Sequence, residues 1–547
     1  MKRSIAAILA ICLLLSFTAC GISSDPEQTQ APTEICAYNI DPVRNECIVD
    51  DFGVVSAANE GNARVFYQIF VGSFSDSNGD GIGDLRGIIN HFDYLNDGDP
   101  NSGLSLGIEG IWLSPIFKSP SYHKYDVTNY YEIDPKFGTM EDLKDLINLC
   151  HERGVKLILD LAINHTSDDN KWFQAFADAH VNGDTDNEYY DFYTWSDTNA
   201  AGATWYGISG TNQYFEGNFS GDMPELNFEN EKVRQCVVDI AKYYLNMGVD
   251  GFRFDAAKYI YFGNEGKNDQ FWQWYMNELR TWKTDIYSVA EVWDSDGVTY
   301  PYFASTDCFN FSMSQPSGQI AKAAKGGNVN SLFSYVEQYL ASIRQERQDA
   351  YMVTFIANHD MDRAAGFLTT DSGNAYTAAN LAILMPGSTF IYYGEEIGIL
   401  GSRGGNQTDA NRRLAMLWGD GDSVTDPIGA NYKAEQKNGT VADQLAKDTS
   451  LYNHYKKLIG IRKANPEIAY GEMTPLKTKG TQGGFLCTYE GKTVAVLHNT
   501  TTEEATIDLA EITDVKLTAL AAVVGLGDAK LDGTILTLGP QTSVVLR

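Results

Sequence analysis

Short apolar runs alternate with longer amphipathic segments along the middle of the chain. The runs, rich in Val, Ile, Phe and Tyr, lie at 65–70, 108–113, 155–161, 249–254, 287–293, 351–356 and 388–393, with a weaker one at 307–313. Several are separated by stretches with helical spacing, such as 139–154 and 230–248. Strands that alternate with helices predict a parallel α/β sheet. Eight strands favour a (β/α)8 TIM barrel; the rival is a doubly wound sheet, but the chain has no Gly-rich dinucleotide turn.

Two regions depart from this alternation. Residues 166–226 follow the third run and are rich in Asp, Asn, Gly, Tyr and Trp. This segment is far longer than an ordinary strand–helix connection, which predicts an inserted domain B. Residues 465–547 show strand alternation without helices and predict a C-terminal antiparallel β-sandwich, domain C. The barrel, domain A, is then expected from 61–165 and 227–464.

The N-terminus has the pattern of an export signal. Lys2 and Arg3 precede an apolar run, and small residues then lead to Cys20. The sequence "FTAC" at 17–20 also resembles a bacterial lipoprotein box, which implies a lipoprotein signal peptide over 1–20 and acylation of Cys20. Ordinary cleavage and release is the alternative. We therefore expect an extracellular or cell-surface protein whose only membrane contact is the lipid anchor.

The segment 21–60 is polar with little periodicity, which predicts a tether. Cys36 and Cys47 flank a polar loop there and are candidates for a disulfide in an exported chain. The other four cysteines beyond the signal lie in apolar stretches and are predicted to be plain core residues: Cys150, Cys236, Cys308 and Cys487.

Charge narrows the range of partners. The 547 residues carry a formal net charge of −31, with a pI near 4.5. Such a surface repels nucleic acid phosphates and anionic membranes, so we expect no nucleic acid partner and favour a neutral substrate or a cation. We expect a monomer.

Polar residues end several of the predicted strands, where a barrel carries its chemistry. They are Asp160, Asn164, His165, Arg253, Asp255, Glu291, Asn358, His359 and Asp360. Neighbouring carboxyl groups shift each other's pKa values apart, so one stays protonated while another is ionised. A pair of carboxyl groups, one protonated and one ionised, is what glycosidases use to cleave a glycosidic bond. Arg253 lies two residues before Asp255, on the same side of a strand, and is predicted to keep Asp255 anionic.

Five segments carry a family resemblance. "DLAINH" (160–165), "GFRFDAAKY" (251–259), "EVW" (291–293) and "FIANHD" (355–360) resemble, in order, the four signature regions of the alpha-amylase family, glycoside hydrolase family 13, and "MPELN" (223–227) resembles its fifth. The resemblance implies a retaining alpha-amylase acting on internal α-1,4 bonds of starch and maltooligosaccharides. The alternatives are an exo-acting α-glucosidase or oligoglucosidase, a neopullulanase-like enzyme, a transglycosylase, and a non-catalytic glucan-binding surface protein.

The same resemblance implies the roles of individual residues. Asp255 corresponds to the nucleophile, Glu291 to the general acid/base and Asp360 to the transition-state stabiliser. The implied substrate contacts are His123, Tyr125, Asp126, His165, Arg253, Lys258 and His359. At the end of the second region this chain has Tyr259 where alpha-amylases usually have His.

A candidate calcium loop, "DSNGDGIGD" (76–84), follows the first strand. It places Asp76, Asn78, Asp80 and Asp84 around Gly81, which suits oxygen coordination of Ca²⁺ at a sharp turn. The full EF-hand pattern fails because Gly87 occupies the position of its last ligand, a Glu. Similar loops in the family imply that the Ile82 carbonyl completes the shell. An ion-free Asp/Gly turn is the alternative. The sequence does not decide whether a second Ca²⁺ binds near Asn164.

Overall fold

The computed structural model describes residues 61–99, 102–199, 201–404, 409–478 and 480–547, together with the backbone of 39–41 and 46–48. The predicted signal peptide, Cys20, Cys36 and the Cys47 side chain lie outside the described residues. Within the segment predicted as a tether, Asn39–Asp41 and Glu46–Ile48 pair as antiparallel strands.

Eight parallel strands form the barrel and confirm the predicted fold class. They are β1 Val65–Ile69, β2 Gly110–Leu113, β3 Lys156–Leu161, β4 Gly251–Phe254, β5 Tyr287–Ala290, β6 Asp307–Cys308, β7 Val353–Phe355 and β8 Ser388–Tyr392. Their order is 6-5-4-3-2-1-8-7, and a parallel bridge between Phe309 and Val353 joins the two ends.

Close packing explains which residues form the strands. Most of the strand residues are apolar, and all are buried apart from the partly exposed first residue of β3, as expected for a sheet covered by helices. Aromatic rings fill the barrel interior: the Phe66 ring lies 4.6 Å from that of Phe390 and 4.5 Å from that of Tyr287. Gly251 begins β4 where the neighbouring strand approaches, and a Cβ there would lie only 1.8 Å from the Tyr287 carbonyl oxygen. Only glycine fits this position.

Helices surround the barrel, and their ends follow capping rules. Thr139 and Asp142 form a capping box at the start of Met140–Glu152. Glu231–Met247 begins after Asn230, whose side chain accepts a hydrogen bond from the Lys232 N–H, and ends at Gly248. The remaining helices outside domain B are Leu85–Asn90, Phe92–Leu95, Glu265–Trp282, Asp296–Thr299, Gln319–Ala324, Val329–Glu346, Ala364–Phe367, Asn374–Ile383, Val441–Leu445, Leu451–Ala464 and Pro466–Tyr470.

Domain B is inserted after β3. It contains the helix Lys171–Asn182 and a small antiparallel sheet of Trp195–Ser196, Tyr214–Glu216 and Trp205–Gly207. A bridge between His165 and Glu225 brings its two ends together, and one between Tyr193 and Leu226 connects its middle to its C-terminal end. The insertion therefore lies at the carboxyl end of β3.

Domain C consists of two antiparallel sheets. One contains Glu472–Pro475, Gln482–Tyr489, Lys492–Asn499, Thr542–Leu546 and Leu520–Gly525, and the other contains Ala505–Asp508, Ile535–Leu538 and Ala529–Asp532. Leu497, Leu538 and Leu546 belong to the shared core.

Two further observations concern the described residues. Cys150, Cys236, Cys308 and Cys487 are free and buried, as predicted. Within the described part of the chain, no helix combines the length and the apolar character that crossing a membrane requires.

Candidate active site

A single buried guanidinium group connects the strand ends. Arg253, in β4, places Nη1 at 2.5 Å from Asp255 Oδ1 and 2.7 Å from Asp160 Oδ1, and Nη2 at 3.0 Å from Glu291 Oε2. The sequence predicted only the Asp255 contact. Because one guanidinium touches both Asp255 and Glu291, their carboxyl groups lie within the span of up to about 9.5 Å over which paired carboxyl groups work in glycosidases.

Glu291, directly after β5, is held as a neutral acid. Burial raises its pKa, and although Arg253 opposes this, the nearby Asp255 and Asp360 carboxylates raise it further, to about 8. The Ala256 N–H donates to Glu291 Oε2 at 3.1 Å. Ala256 has a left-handed backbone with φ of 46°, uncommon for a residue with a side chain and typical of functional sites. The turn after β4 thus orients Glu291 as well as carrying Asp255.

His359, after β7, is fixed as a neutral ring beside Asp360. Gln68 Nε2 donates to His359 Nδ1 at 2.7 Å, which leaves the proton on Nε2. Nε2 lies 3.1 Å from Asp360 Oδ2 and 2.6 Å from the Tyr125 hydroxyl oxygen. Burial lowers the pKa of His359 to about 3. Tyr125 in turn donates to Asp160 Oδ2 at 3.0 Å, and its ring is stacked on that of His359.

Arg413 is a site residue that the sequence motifs did not indicate. Its Nη2 lies 2.7 Å from Asp360 Oδ1, Nη1 donates to the Tyr122 hydroxyl at 3.0 Å, and Nε donates to the His359 carbonyl at 3.0 Å. Burial acts to raise the pKa of Asp360, but the His359 ring and the guanidinium groups of Arg413 and Arg253 outweigh it and lower that pKa to about 2. Asp360 is therefore an anion, held separately from the Arg253 cluster.

The three acids line a cleft of about 730 Å³. Of the predicted substrate contacts, the cleft lining includes His123, Tyr125, His165 and Lys258. The other three lie behind it: Arg253, His359 and Asp126. Asp126 accepts hydrogen bonds from the Ser119 and Ser121 hydroxyls, so its contacts are with its own loop.

Aromatic side chains form the outer wall of the cleft. Phe219 from domain B and Trp293 after β5 are 45% and 41% exposed, and Tyr259 packs against Phe219 at 4.8 Å between ring centroids. The Lys258 Nζ donates to the Trp293 carbonyl at 2.8 Å and to Asp294 at 2.9 Å. Exposed ring faces of this kind suit the apolar faces of sugars. Tyr259, the departure from the family motif, thus contributes to this wall.

The predicted calcium loop has the right donor atoms, and its carboxylates are hydrogen-bonded within the loop. Asp76 accepts from the backbone N–H groups of Asn78, Gly79 and Gly81, and from Ser423. Burial acts to raise the pKa of Asp76, but these hydrogen bonds lower it. The other predicted side-chain ligands also accept backbone N–H bonds: Asn78, Asp80 and Asp84.

Carboxylate, amide and carbonyl oxygens are the ligands that Ca²⁺ prefers, so the chemistry of the set, which includes the Ile82 carbonyl, fits that ion. Across the described ranges, however, no group of three or more His, Cys, Asp or Glu side chains is arranged to hold a metal.

Comparison with known proteins identifies the family. The profile described as "Alpha amylase, catalytic domain" matches residues 68–471. This chain belongs to the alpha-amylase family.

Among alpha-amylase family relatives, the chain is 34% identical over 496 residues to "Alpha-amylase 3" of Dictyoglomus thermophilum, covering 88% of this chain and 93% of that protein. It is 29% identical over 568 residues to an oligo-1,6-glucosidase of Bacillus cereus, covering 88% and 98%. The structure of Eubacterium rectale Amy13B superposes with a TM-score of 0.81 at 33% identity, covering 89% of this chain and 95% of that one.

Proposed function

We propose that this alpha-amylase family enzyme is a retaining hydrolase of internal α-1,4-glucosidic bonds in starch and maltooligosaccharides. The observation that most supports this proposal is that Arg253 contacts both Asp255 and Glu291 while the pKa of Glu291 stays raised, to about 8. The same cation contacts both groups, yet Glu291 is neutral at neutral pH, which leaves Asp255 to act as the carboxylate. This is the division of roles that double displacement requires.

In the first step, Glu291 gives its proton to the glycosidic oxygen while that oxygen leaves the anomeric carbon. The Asp255 carboxylate attacks the same carbon and forms a glycosyl ester, and the leaving chain departs as an alcohol. Arg253 Nη1 donates to Asp255 Oδ1 and so directs this carboxylate toward the anomeric carbon. The Ala256 N–H keeps Glu291 in reach of the leaving oxygen.

In the second step, the Glu291 carboxylate removes a proton from water. The water oxygen attacks the anomeric carbon, the bond to Asp255 breaks, and Glu291 regains its proton. Two inversions give net retention. Asp360, anionic and held by Arg413, stabilises the positive charge that develops on the sugar in both transition states.

Two observations favour a polymeric substrate. The cleft is large for a single glucose, at about 730 Å³, and exposed aromatic residues line its outer wall. The similarity to an oligo-1,6-glucosidase favours the second candidate, an exo-acting oligoglucosidase. Both candidates use the same three acids, so the choice between them concerns how the chain ends are bound.

Product analysis on soluble starch tests the proposal. Endo action releases mixed maltooligosaccharides, lowers viscosity early and cleaves oligosaccharides whose non-reducing end is blocked. Glucose as the only product would establish the exo-acting candidate, and cleavage of isomaltose would establish 1,6 specificity. The first product should be the α-anomer by NMR. An Asp255→Asn variant is the control; release of products by a folded Asp255→Asn protein would contradict the mechanism.

We also propose that the loop 76–84 binds Ca²⁺ through Asp76, Asn78, Asp80, Asp84 and the Ile82 carbonyl. A bound cation there neutralises three carboxylates on one turn and stabilises the fold, away from the reacting atoms. Isothermal titration with Ca²⁺ after chelation tests this: one site that Asp76→Asn abolishes supports it, and no heat of binding refutes it.

We further propose that the protein is exported and attached to the membrane surface through acylated Cys20. The support is the basic start, the apolar run and the "FTAC" sequence at 17–20. Metabolic labelling with a radioactive fatty acid tests this in a bacterial host: label in the parent but not in Cys20→Ser is expected, and an unlabelled protein in the medium would indicate simple secretion.

A further inference from the structure

The short segment after β8 that carries Arg412 and Arg413 holds Asp360 from two sides. Arg413 Nη2 lies 2.7 Å from Asp360 Oδ1, and Arg412 Nη1 donates to the Asp360 carbonyl at 2.6 Å. The segment has little regular structure of its own, only the single 3₁₀ turn Ala410–Arg412. Contacts with neighbouring parts of the chain therefore have to fix its position, among them those of the side chains packed beneath it.

Those side chains bind the carbonyl groups of the segment. Arg363 Nε donates to the Arg412 carbonyl at 3.0 Å, and the Tyr392 hydroxyl donates to the same oxygen at 3.1 Å. The Tyr393 hydroxyl donates to the Leu414 carbonyl at 2.6 Å. The carbonyls on both sides of Arg413 are thus fixed, which sets where its side chain begins.

Arg363 is an unusual residue for a buried position. It is 2% exposed, its guanidinium lies over the rings of Tyr392 at 4.5 Å and Tyr393 at 4.6 Å, and Nη1 donates to the Tyr393 carbonyl at 2.6 Å. In the part of the chain that the structure describes, it forms no ion pair with a carboxylate within 4.0 Å. Burying a cation without such a pair is costly, so simple filling of space does not account for it.

Arg363 also connects the two loops that carry Asp360 and Arg413. It lies three residues after Asp360, on the loop that follows β7, and it binds the loop that follows β8. That second loop returns Arg413 to Asp360. We infer that Arg363 is a positioning residue of the active site, which holds the Arg412 carbonyl so that Arg413 reaches Asp360. This inference rests on the proposed hydrolytic function.

The test compares Arg363→Met with a matched variant, Arg462→Met. Arg462 is also 2% exposed and also binds carbonyls, those of Ile383, Met385 and Gly387, but it touches neither Asp360 nor the segment 410–414. Both substitutions remove a buried guanidinium. Only Arg363→Met should lower kcat, by about tenfold or more, because a small misplacement of a catalytic group is costly, while KM changes far less.

A double mutant shows whether Arg363 acts through Arg413. If it does, Arg363→Met/Arg413→Met should be no slower than Arg413→Met alone, because the second substitution removes what the first one positions. Arg363→Lys, whose ammonium can still donate to the Arg412 carbonyl, should recover part of kcat; it also replaces Arg363→Met if that variant does not fold.

Three results would overturn the inference: an unchanged kcat in folded Arg363→Met, equal losses in Arg363→Met and Arg462→Met, or losses that multiply in the double mutant. A crystal structure of Arg363→Met provides a readout that does not depend on activity, with the Arg413–Asp360 contact expected to be broken. An inactive parent enzyme would instead refute the proposed function, and the crystallographic comparison would still decide the positioning role.

Discussion

Arg253 Nη2 lies 3.0 Å from Glu291 Oε2, so a permanent cation contacts the carboxyl group that we propose as the proton donor. An isolated pair of this kind would favour the ionised acid. Here burial and the neighbouring carboxylates outweigh the guanidinium and raise the pKa of Glu291 to about 8. The site can thus keep one acid neutral beside the arginine that pairs with Asp255.

The first prediction concerns the pH dependence of activity. Since the pKa of Glu291 is raised to about 8, kcat/KM should fall on the alkaline side with a midpoint near that value, as the free enzyme loses its proton donor. Initial rates on a soluble maltooligosaccharide measure this profile. A rate that keeps rising through this range would contradict the assignment of Glu291 as the acid.

The second prediction separates the acid from the other two carboxylates. Glu291→Gln should lower kcat on starch by roughly 10²–10⁴-fold. On a glucoside with an acidic phenol as leaving group, glycosyl-ester formation should be affected much less, because such a group departs without a proton. Pre-steady-state release of the phenol measures that step. Asp360→Asn is the comparison and should slow the step on both substrates; equal losses for Glu291→Gln on the two would refute its role.

The third prediction concerns stability. Arg253→Met should destabilise the protein by about 3–5 kcal/mol at neutral pH, because it leaves Asp160 and Asp255 without the buried cation that both contact and Glu291 without a hydrogen-bond donor. The loss should shrink in mild acid, where the unpaired carboxyl groups become protonated. Urea denaturation measures it. Arg86→Met, which removes an arginine 41% exposed, is the control and should cost about 1 kcal/mol or less.

The fourth prediction concerns the contact between the barrel and domain C. His454 Nε2 lies 2.7 Å from Asn380 Oδ1, Asn380 donates to the Ser543 hydroxyl at 2.9 Å, and that hydroxyl lies 2.7 Å from His498 Nδ1. Burial lowers the pKa of His454 to about 4 and that of His498 to about 3. The unfolded chain therefore binds more protons than the folded one below the ordinary histidine pKa of about 6.5.

Stability should accordingly be fully present above about pH 6.5 and fall as the pH decreases, by up to about 1.4 kcal/mol per pH unit for each of the two histidines. Urea midpoints across mildly acidic pH measure this slope. His498→Gln should reduce the slope even if it also lowers the stability at neutral pH. An unchanged slope in that variant would show that other groups control acid unfolding.

The fifth prediction concerns the proposed calcium loop. Chelation should lower the unfolding temperature of the parent, since a ligand at about 100 times its Kd stabilises the folded state by about 2.7 kcal/mol. Asp76→Asn should unfold at a lower temperature and respond little to chelator. Asp532→Asn, at a surface position with a side chain 81% exposed, is the control and should respond like the parent. Parent and Asp76→Asn responding alike would refute the site.

The site residues that the sequence predicted share one property: each lies at or after the end of a strand, in a recognisable local run. Asp255 and Glu291 directly follow β4 and β5, Asp360 lies on the loop after β7, and a barrel brings strand ends together whatever their separation in sequence. The sequence around Arg413 contains no such local run, because Arg413 lies on a loop whose position depends on side chains that are distant in sequence. Gln68 was also missed, since one polar residue in an apolar strand carries no spacing signal.

For Asp126, the family motif implies a role, but the sequence does not determine where the side chain points. The family motif implied a substrate contact, yet its carboxylate accepts hydrogen bonds from Ser119 and Ser121 and lies behind the cleft lining. The role of Asp126 as a substrate contact stays a prediction from the family motif, and the structure adds the direction of its side chain. That direction depends on two serine hydroxyls within the same turn.

By itself, the sequence determined the order of strands and helices, the barrel and the acids at its rim, because hydrophobic periodicity and motif residues are local properties of the chain. Only the tertiary structure showed that Arg253 also contacts Asp160 and Glu291, and that Arg413 pairs with Asp360. Arg413 and Asp360 are 53 residues apart and meet at 2.7 Å only after the loops following β7 and β8 pack side by side. Contacts between loops depend on where each loop is held, and no short stretch of sequence contains that information.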